Sequence, residues 1–206
     1  MTIGFVDLAL YAGALLALFL TPGPVWLALV ARTVSGGFAG AWPLALGVVV
    51  GDMMWPFIAI MGVSWLVQEV TWLMSLLRWV AAAIFLVMGV MLVRNADRPI
   101  ATDARLTRPG RLAGFAAGVA VILGNPKAIL FYMSVLPGFF DLRRISGMDI
   151  AVIVGLSALM PLVGNLFFAL VIDKMRRFIA SPGGVRRLNL VSGGLLIVVG
   201  VLIPLL

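Results

Sequence analysis

Apolar residues occupy most of the chain, in six long stretches separated by short polar segments. A helix that crosses a lipid bilayer needs about 20 mostly apolar residues, and each stretch reaches or approaches that length. The pattern therefore predicts an all-α integral membrane protein with six transmembrane helices. The predicted spans cover residues 5–31, 42–66, 72–93, 112–140, 150–172 and 188–206.

Composition excludes several other classes of protein. Hydrophobic residues make up 63% of the chain and charged residues 11%, whereas soluble domains have about 45–50% and about 25%. Cysteine and histidine are absent, which excludes disulfides and thiolate metal sites and removes the commonest general base. We therefore expect neither a soluble enzyme nor a protein that carries a metal or other cofactor.

The basic residues predict the orientation in the membrane. Most of the Lys and Arg residues between spans fall in the odd-numbered loops, and such loops are cytoplasmic by the positive-inside rule. Both termini are then expected outside. The long polar loop 94–110 divides a single transmembrane domain (1–206) into halves 1–93 and 111–206. Three helices per half give the halves opposite orientations, as in the inverted repeats of transporters.

Two apolar stretches are interrupted at corresponding places in the halves. The first contains Thr21-Pro22-Gly23-Pro24. A proline in a helix interior removes a hydrogen bond and clashes with the preceding turn, at a cost of about 3 kcal/mol. We predict that Thr21 is the N-cap of a new half-helix that begins at Pro22.

The fourth stretch contains Gly124-Asn125-Pro126-Lys127, where Asn125 is the predicted N-cap. Two half-helix N-termini that converge would form an anion site suited to a carboxylate. Each break alone could be an ordinary proline kink, since proline is common in membrane helices. Their occurrence as a pair favours a transporter binding site.

Asp52 lies about ten residues into the second span, roughly 15 Å deep and near mid-membrane. A charge at that depth costs at least about 2.5–3.5 kcal/mol. We interpret Asp52 as a carboxylate that binds a substrate amine and couples it to protons; the alternative is a neutral side chain bonded to a neighbouring helix. Lys127 either pairs with Asp52, contacts a substrate carboxylate, snorkels or is structural. Asn165 either bonds between helices or contacts substrate.

Glycines recur at four-residue spacing, which favours close approach of helices. They are Gly36 and Gly40, Gly47 and Gly51, and Gly110, Gly114 and Gly118.

The segments TPGPVWLALVARTVSGGFAGAWPLALGVVVGDMMW and GNPKAILFYMSVLPGFF resemble the two signatures of the LysE/RhtB family of amino-acid exporters. Length and predicted helix count agree over essentially the whole chain. The resemblance implies proton-driven export of amino acids or their derivatives across a bacterial inner membrane. It gives functional weight to the two breaks and the deep acid. The candidate substrate-binding residues are Thr21, Pro22, Gly23, Pro24, Asp52, Asn125, Pro126 and Lys127, with Asp52 also coupling protons.

One position departs from the family pattern. A polar residue, often Asn, usually follows the second proline of the first signature, and here that residue is Val25. The departure puts the usual hydroxylated or basic substrates in doubt and makes a more apolar amino acid conceivable. Three other functions stay open: export of divalent cations, as in relatives of the same superfamily; an intramembrane enzyme; and a non-transporting subunit. We expect no nucleic-acid partner, and a homodimer is one assembly that the sequence leaves open.

Overall fold

The computed structural model describes residues 2–63, 71–97, 108–142, 144–179 and 182–202, and within these ranges it contains helices and no β-strand. Two π-helical turns, Ala59–Val63 and Phe131–Val135, follow α2 and join α5 to α6. The α-helices are α1 (Phe5–Leu20), α2 (Pro24–Ile58), α3 (Thr71–Arg94), α4 (Arg111–Leu123), α5 (Pro126–Leu130), α6 (Leu136–Phe139), α7 (Gly147–Ile179) and α8 (Pro182–Leu202). The all-helical prediction is confirmed for these residues.

Helix α2 is folded back on itself at Gly37, whose φ of 65° lies in the left-handed region that favours glycine. A straight helix would separate Arg32 from Gly40 by about 12 Å. Instead a Cβ on Gly40 would lie 3.4 Å from the Arg32 carbonyl oxygen, and the Arg32 side chain donates to the Gly40 carbonyl at 2.9 Å. The two arms, residues 24–36 and 38–58, therefore form a helical hairpin.

Long apolar helices identify the chain as a membrane protein. By length and composition two helical stretches suffice to cross a bilayer: Pro24–Gly62, which includes the fold at Gly37, and Gly147–Met175. A third candidate is the pair Arg111–Leu123 and Pro126–Phe139, which is bent by 50° at the second break. Shorter apolar helices make up the rest of the described bundle, so these criteria support two or three of the six predicted spans.

Several predicted boundaries differ from the observed ones. Helix α7 extends beyond the predicted 150–172 because its last turns contain Lys and Arg, which are good helix formers. Helix α8 begins at Pro182 rather than at residue 188, since proline is favoured at the start of a helix. The predicted C-terminal ends of the second and sixth spans, and residues 98–107 of the predicted linker, lie outside the described residues.

Glycines allow the closest helix crossing, as predicted for Gly47, Gly51, Gly114 and Gly118, whereas a Cβ on Gly36 or Gly110 would meet nothing within 4 Å. Helix α2 packs mainly against α4 and α7, and α3 packs against α8. A Cβ on Gly47 would collide with the Phe115 carbonyl oxygen, and a Cβ on Gly118 would collide with that of Leu44. This crossing holds the second arm of α2 beside α4, and both elements then reach the site described next.

Candidate functional site

The first break separates α1 from α2. Helix α1 ends at Leu20, and α2 begins at Pro24 with Gly23 as its N-cap. Thr21 is the C-cap of α1, where its hydroxyl donates to the Ala17 carbonyl at 2.8 Å. The predicted break is therefore confirmed, but the prediction that Thr21 caps the following helix is wrong. Its side chain turns back to α1 because the chain stays extended through residue 23, and the proline at the first helical position is Pro24.

The second break has the predicted cap. Helix α4 ends before Gly124, and α5 begins at Pro126. The Asn125 side-chain oxygen accepts a hydrogen bond from the Lys127 backbone N–H at 3.2 Å. Asn125 is thus the N-cap of α5, with proline at the first helical position.

Lys127 connects the two breaks. Its Nζ donates to the carbonyl oxygens of Leu18 at 2.8 Å and Thr21 at 2.5 Å, both at the end of α1. These are carbonyls that a helix C-terminus leaves without intrahelical partners. A cation also complements the negative end of the helix dipole. Lys127 therefore caps α1 from the opposite half of the chain, and its side chain passes about 3.5 Å from the position of a Cβ on Gly23.

Both breaks face one small cavity of about 40 Å³. Its polar lining comes from four buried or half-buried side chains, Asp52, Asn125, Lys127 and Asn165. The remaining lining residues are apolar: Leu18, Phe19, Val25, Trp26, Val48, Ile122, Ala128 and Pro161. The cavity has room for a few water-sized groups, and its wall carries one acid, one cation and two amides.

Asp52 is 3% exposed, and its Oδ2 atom has no hydrogen-bond partner among the described residues. It interacts electrostatically with Lys127, yet within the described ranges the two side chains form no salt bridge. The Lys127 ammonium is instead directed to the end of α1. The ion pair that the sequence left open is therefore not formed, and one buried carboxylate oxygen remains available to a ligand or a proton.

Asn165 is 2% exposed and lies on α7 at the cavity wall. Its side chain makes no hydrogen bond within the part of the chain that the structure describes. The interhelical bond that the sequence left open is therefore absent, and the Asn165 amide is available to a ligand.

The structure brings some of the predicted site residues together and not others. Asp52, Asn125 and Lys127 line the cavity. The remaining predicted residues, Thr21, Pro22, Gly23, Pro24 and Pro126, lie at the breaks but do not line it. Their contribution is to shape the backbone that positions Val25, Trp26 and Ala128 on the wall.

Three buried polar residues near Asp52 were missed by the sequence analysis: Tyr11, Tyr132 and Ser157. The sequence does contain a signal for Ser157. Asp149, Ser157 and Asn165 are the polar side chains of the otherwise apolar stretch 148–172, and polar groups within such a stretch are rare and informative. A spacing of eight residues turns the helix by about 80° each time, so the three do not share one face. All three are buried.

Acidic groups are sparse at this site. Among the residues that the structure describes, no group of three or more Asp or Glu side chains converges in a way that would hold a metal ion. The chemistry on the wall suits a small zwitterion: a carboxylate for an ammonium group, and amide and ammonium N–H groups for a carboxylate.

Comparison with known proteins identifies the family. The model of the LysE type translocator family matches residues 16–205. An uncharacterised membrane protein of Synechocystis is 30% identical over 201 residues, covering 98% of this chain and 97% of that protein. The leucine efflux protein of Salmonella typhimurium is 30% identical over 147 residues, covering 67% of this chain and 65% of that protein. No solved structure matches the chain. The chain therefore belongs to the LysE type translocator family, as the two signatures predicted.

Proposed function

We propose that this protein exports apolar amino acids of the leucine type, in exchange for protons, across a bacterial inner membrane. The observation that carries the proposal is the shared cavity, where both helix breaks meet a buried acid whose Oδ2 atom has no hydrogen-bond partner in the described chain. Membership of a translocator family and the similarity to leucine efflux proteins support export of an amino acid.

The substrate would bind with its two charges separated across the cavity. Its ammonium group contacts Asp52, since a carboxylate accepts strong charge-assisted hydrogen bonds. Its carboxylate contacts the start of α2, where Gly23 provides no side-chain cap for the N–H groups of Val25 and Trp26. An ammonium has three donors, so Lys127, which gives two to α1, has a third to offer. Asn165 supplies a further donor.

The apolar wall favours an apolar side chain. Val25, Trp26, Val48 and Ile122 line the cavity, and a wall of this kind leaves the hydroxyl or charge of a polar substrate unpaired. Leaving such a group buried without a partner costs about 1–3 kcal/mol. An apolar residue at Val25, where the family pattern has a polar one, thus favours an apolar substrate. The similarity to the leucine efflux proteins of Salmonella points to the same kind of substrate.

Exchange follows from competition at a single acid. When Asp52 binds the substrate ammonium it cannot hold a proton, and when it holds a proton it no longer attracts the ammonium. A proton arriving from outside therefore displaces the amino acid, and loss of the proton inside restores the binding form. Since about 40 Å³ is a small volume for an amino acid, the cavity must widen toward one side at a time to load and release.

An architecture of six spans in two inverted halves supports such alternating access. The hairpin arms of α2 would provide the second part of span 1 and most of span 2, with residues 94–110 as the cytoplasmic linker and both termini outside. Helices α3 and α8 pack at Gly89 and Gly193, where a Cβ on either glycine would approach the other's carbonyl oxygen at 2.7–2.8 Å. These glycines are as far apart in sequence as Thr21 and Asn125, which agrees with a two-fold axis between halves.

Counterflow in proteoliposomes tests the proposed function. Purified protein is reconstituted with a pH-sensitive dye inside, and labelled leucine uptake is measured against internal leucine, serine, lysine or Mn²⁺. We expect exchange with leucine and related apolar amino acids, and leucine movement against an imposed pH gradient with a matching dye signal. Asp52→Asn is expected to lose the gradient-driven movement. Exchange restricted to Mn²⁺, or a gradient response unchanged in Asp52→Asn, would refute the proposal.

A further inference from the structure

Three buried hydroxyl groups, those of Tyr132, Ser157 and Tyr11, form a row that leads away from Asp52. The chain has two tyrosines, and both Tyr11 and Tyr132 are 0% exposed, as is Ser157. Tyrosine in membrane proteins is enriched at the bilayer surface, where its hydroxyl is wet. Here Tyr11 comes from α1, Tyr132 from the π-helical turn that follows α5, and Ser157 from α7, and their hydroxyl groups lie in the same interior region.

The hydrogen bond between Tyr11 and Ser157, at the end of the row farthest from Asp52, has a defined donor. The Tyr11 and Ser157 hydroxyl oxygens lie 2.6 Å apart. Ser157 Oγ also donates to the Ile153 carbonyl oxygen at 2.7 Å, and this uses its single hydrogen. Tyr11 is therefore the donor and Ser157 the acceptor, so the hydrogen of Tyr11 is directed toward Ser157.

Tyr132 lies between Ser157 and the acid. Its hydroxyl lies within reach of the Ser157 hydroxyl and the Asp52 carboxylate, and it interacts electrostatically with Tyr11 and Asp52. Yet Tyr132 Oη and Asp52 Oδ2 are both buried and make no hydrogen bond of good geometry among the described residues. Each such group costs about 1–3 kcal/mol, and unsatisfied buried groups in native proteins call for an explanation. A phenylalanine at residue 132 would fill nearly the same space without leaving a polar atom unpaired.

Aromatic rings surround Tyr11, the residue of the row that lies farthest from Asp52. The ring centroids of Phe131, Phe139 and Phe140 lie 5.2–6.2 Å from that of Tyr11. Such packing excludes bulk water, so an amino acid cannot pass there while a proton can still move between hydroxyl groups. Lys127 from α5 faces Asp52 from another side and is held by α1.

We propose that Tyr11, Ser157 and Tyr132 form the path by which a proton reaches Asp52, an inference that rests on the proposed proton exchange. A hydronium ion that reaches Tyr11 when the surrounding rings separate gives its proton to the Tyr11 oxygen and leaves as water. Tyr11 then releases its own hydrogen to Ser157, Ser157 releases its hydrogen to Tyr132, and the Tyr132 hydrogen binds Asp52 Oδ2. No hydroxyl changes its net charge, and no electron is transferred. Transfer requires Ser157 to rotate its hydrogen from Ile153 to Tyr132, and the bond to Ile153 therefore keeps the path interrupted in this structure.

Two transport assays on one preparation test the path. Leucine counterflow exchanges amino acid without net proton movement, whereas leucine movement driven by a pH gradient requires protons. We expect Tyr132→Phe to retain counterflow and to lose both the gradient-driven movement and the dye signal. Ser157→Ala should have the same effect and serves as an independent variant, with melting temperatures recorded for both. Thr33→Val is the matched control, since it removes another fully buried hydroxyl, which donates to Leu29.

The outcomes separate the two claims. Gradient-driven movement at the wild-type level in Tyr132→Phe and Ser157→Ala would overturn the path and leave the proposed function standing. A parallel loss of counterflow, gradient-driven movement and melting temperature would also overturn it, because such a result indicates a structural role. A wild-type protein that exchanges no amino acid would refute the proposed function itself.

Discussion

The two helix breaks start new helices in the same way but obtain their hydrogen bonds from different sources. At the second break nearby groups provide them: the Asn125 side chain caps the Lys127 N–H, and the N–H groups of Gly124 and Asn125 donate to the end of α4. At the first break Thr21 donates to the nearby Ala17 carbonyl, but the other carbonyls at the end of α1 depend on side chains from outside that helix. Lys127 reaches back more than 100 residues to α1, and the start of α2 has no side-chain cap.

This difference indicates that the two breaks have different roles. The backbone N–H groups at the second break have partners nearby in sequence, and these bonds fix the position of Lys127. The first break is open at the start of α2 and is held by groups that also face the cavity. A ligand that binds Lys127 or the first turn of α2 would therefore alter the bonds at the first break more than those at the second. If access alternates as proposed, we expect the movement to begin at the first break.

The largest effect is expected for Lys127→Met. The substitution keeps a long apolar stem but removes both donors to the α1 carbonyls. At about 1–3 kcal/mol for each unsatisfied group, we expect the free energy of unfolding to fall by about 2 kcal/mol or more, with loss of leucine counterflow. Unfolding in mixed micelles provides the measurement. Lys127→Arg retains donors and should recover part of the stability; equal stability of the Met variant and the wild type would contradict the capping role.

A smaller loss is expected for Asn125→Ala, which removes the cap of α5. Replacing an N-cap residue by alanine costs about 1 kcal/mol, and the loss of stability should stay local because the N–H groups of Gly124 and Asn125 keep their bonds to α4. Asn125→Ser keeps a capping oxygen and is the control for unfolding measurements. A variant with Ala that is as stable as the one with Ser would argue against the observed cap.

Trp26 and Trp55, two of the six tryptophans, allow a matched comparison of the breaks. Trp26 Nε1 donates to the Phe19 carbonyl at 2.8 Å. Trp55 Nε1 donates at 3.3 Å to the Ile122 carbonyl, which also accepts from the Asn125 N–H. We expect Trp26→Phe to cost about 1 kcal/mol and Trp55→Phe to cost less. The reverse order in melting temperature would contradict the view that the first break depends more on side chains.

The smallest effect is expected for Thr21→Val. The Thr21 hydroxyl donates to the Ala17 carbonyl, which also accepts the Thr21 backbone N–H at 3.1 Å. Removing the hydroxyl leaves no group without a partner, so we expect a change within about 0.5 kcal/mol. A loss as large as that of Asn125→Ala would restore the original prediction that Thr21 is an N-cap.

The sequence predicts more of the fold than of the site. Helix breaks at Pro24 and Asn125 follow from the fixed geometry of proline, and the close crossing at Gly47 and Gly118 follows from glycine spacing. These are local rules, and the family signatures add that the breaks belong together. The deep acid, Asp52, is also visible in the sequence because a carboxyl group in an apolar run is rare.

Contacts between distant segments could not be predicted in this way. Arg32 is buried and donates to the carbonyls of Arg108 and Gly110, just before α4, and nothing in the sequence pairs these two segments. Lys127 had four interpretations, and only the folded chain brings the end of α1 within its reach. The misassigned role of Thr21 has a similar cause: two prolines follow it, and the sequence alone does not decide which begins the helix.

Proton release on substrate binding tests the central claim most directly. Titration calorimetry of the purified protein with leucine, in buffers of different ionisation enthalpy, measures the protons released for each amino acid bound. If Asp52 exchanges a proton for the substrate ammonium, the wild type releases a proton on binding when it starts from the protonated form, and Asp52→Asn releases none. Leucine binding without proton release across the whole accessible pH range, or equal release by Asp52→Asn, would contradict the account.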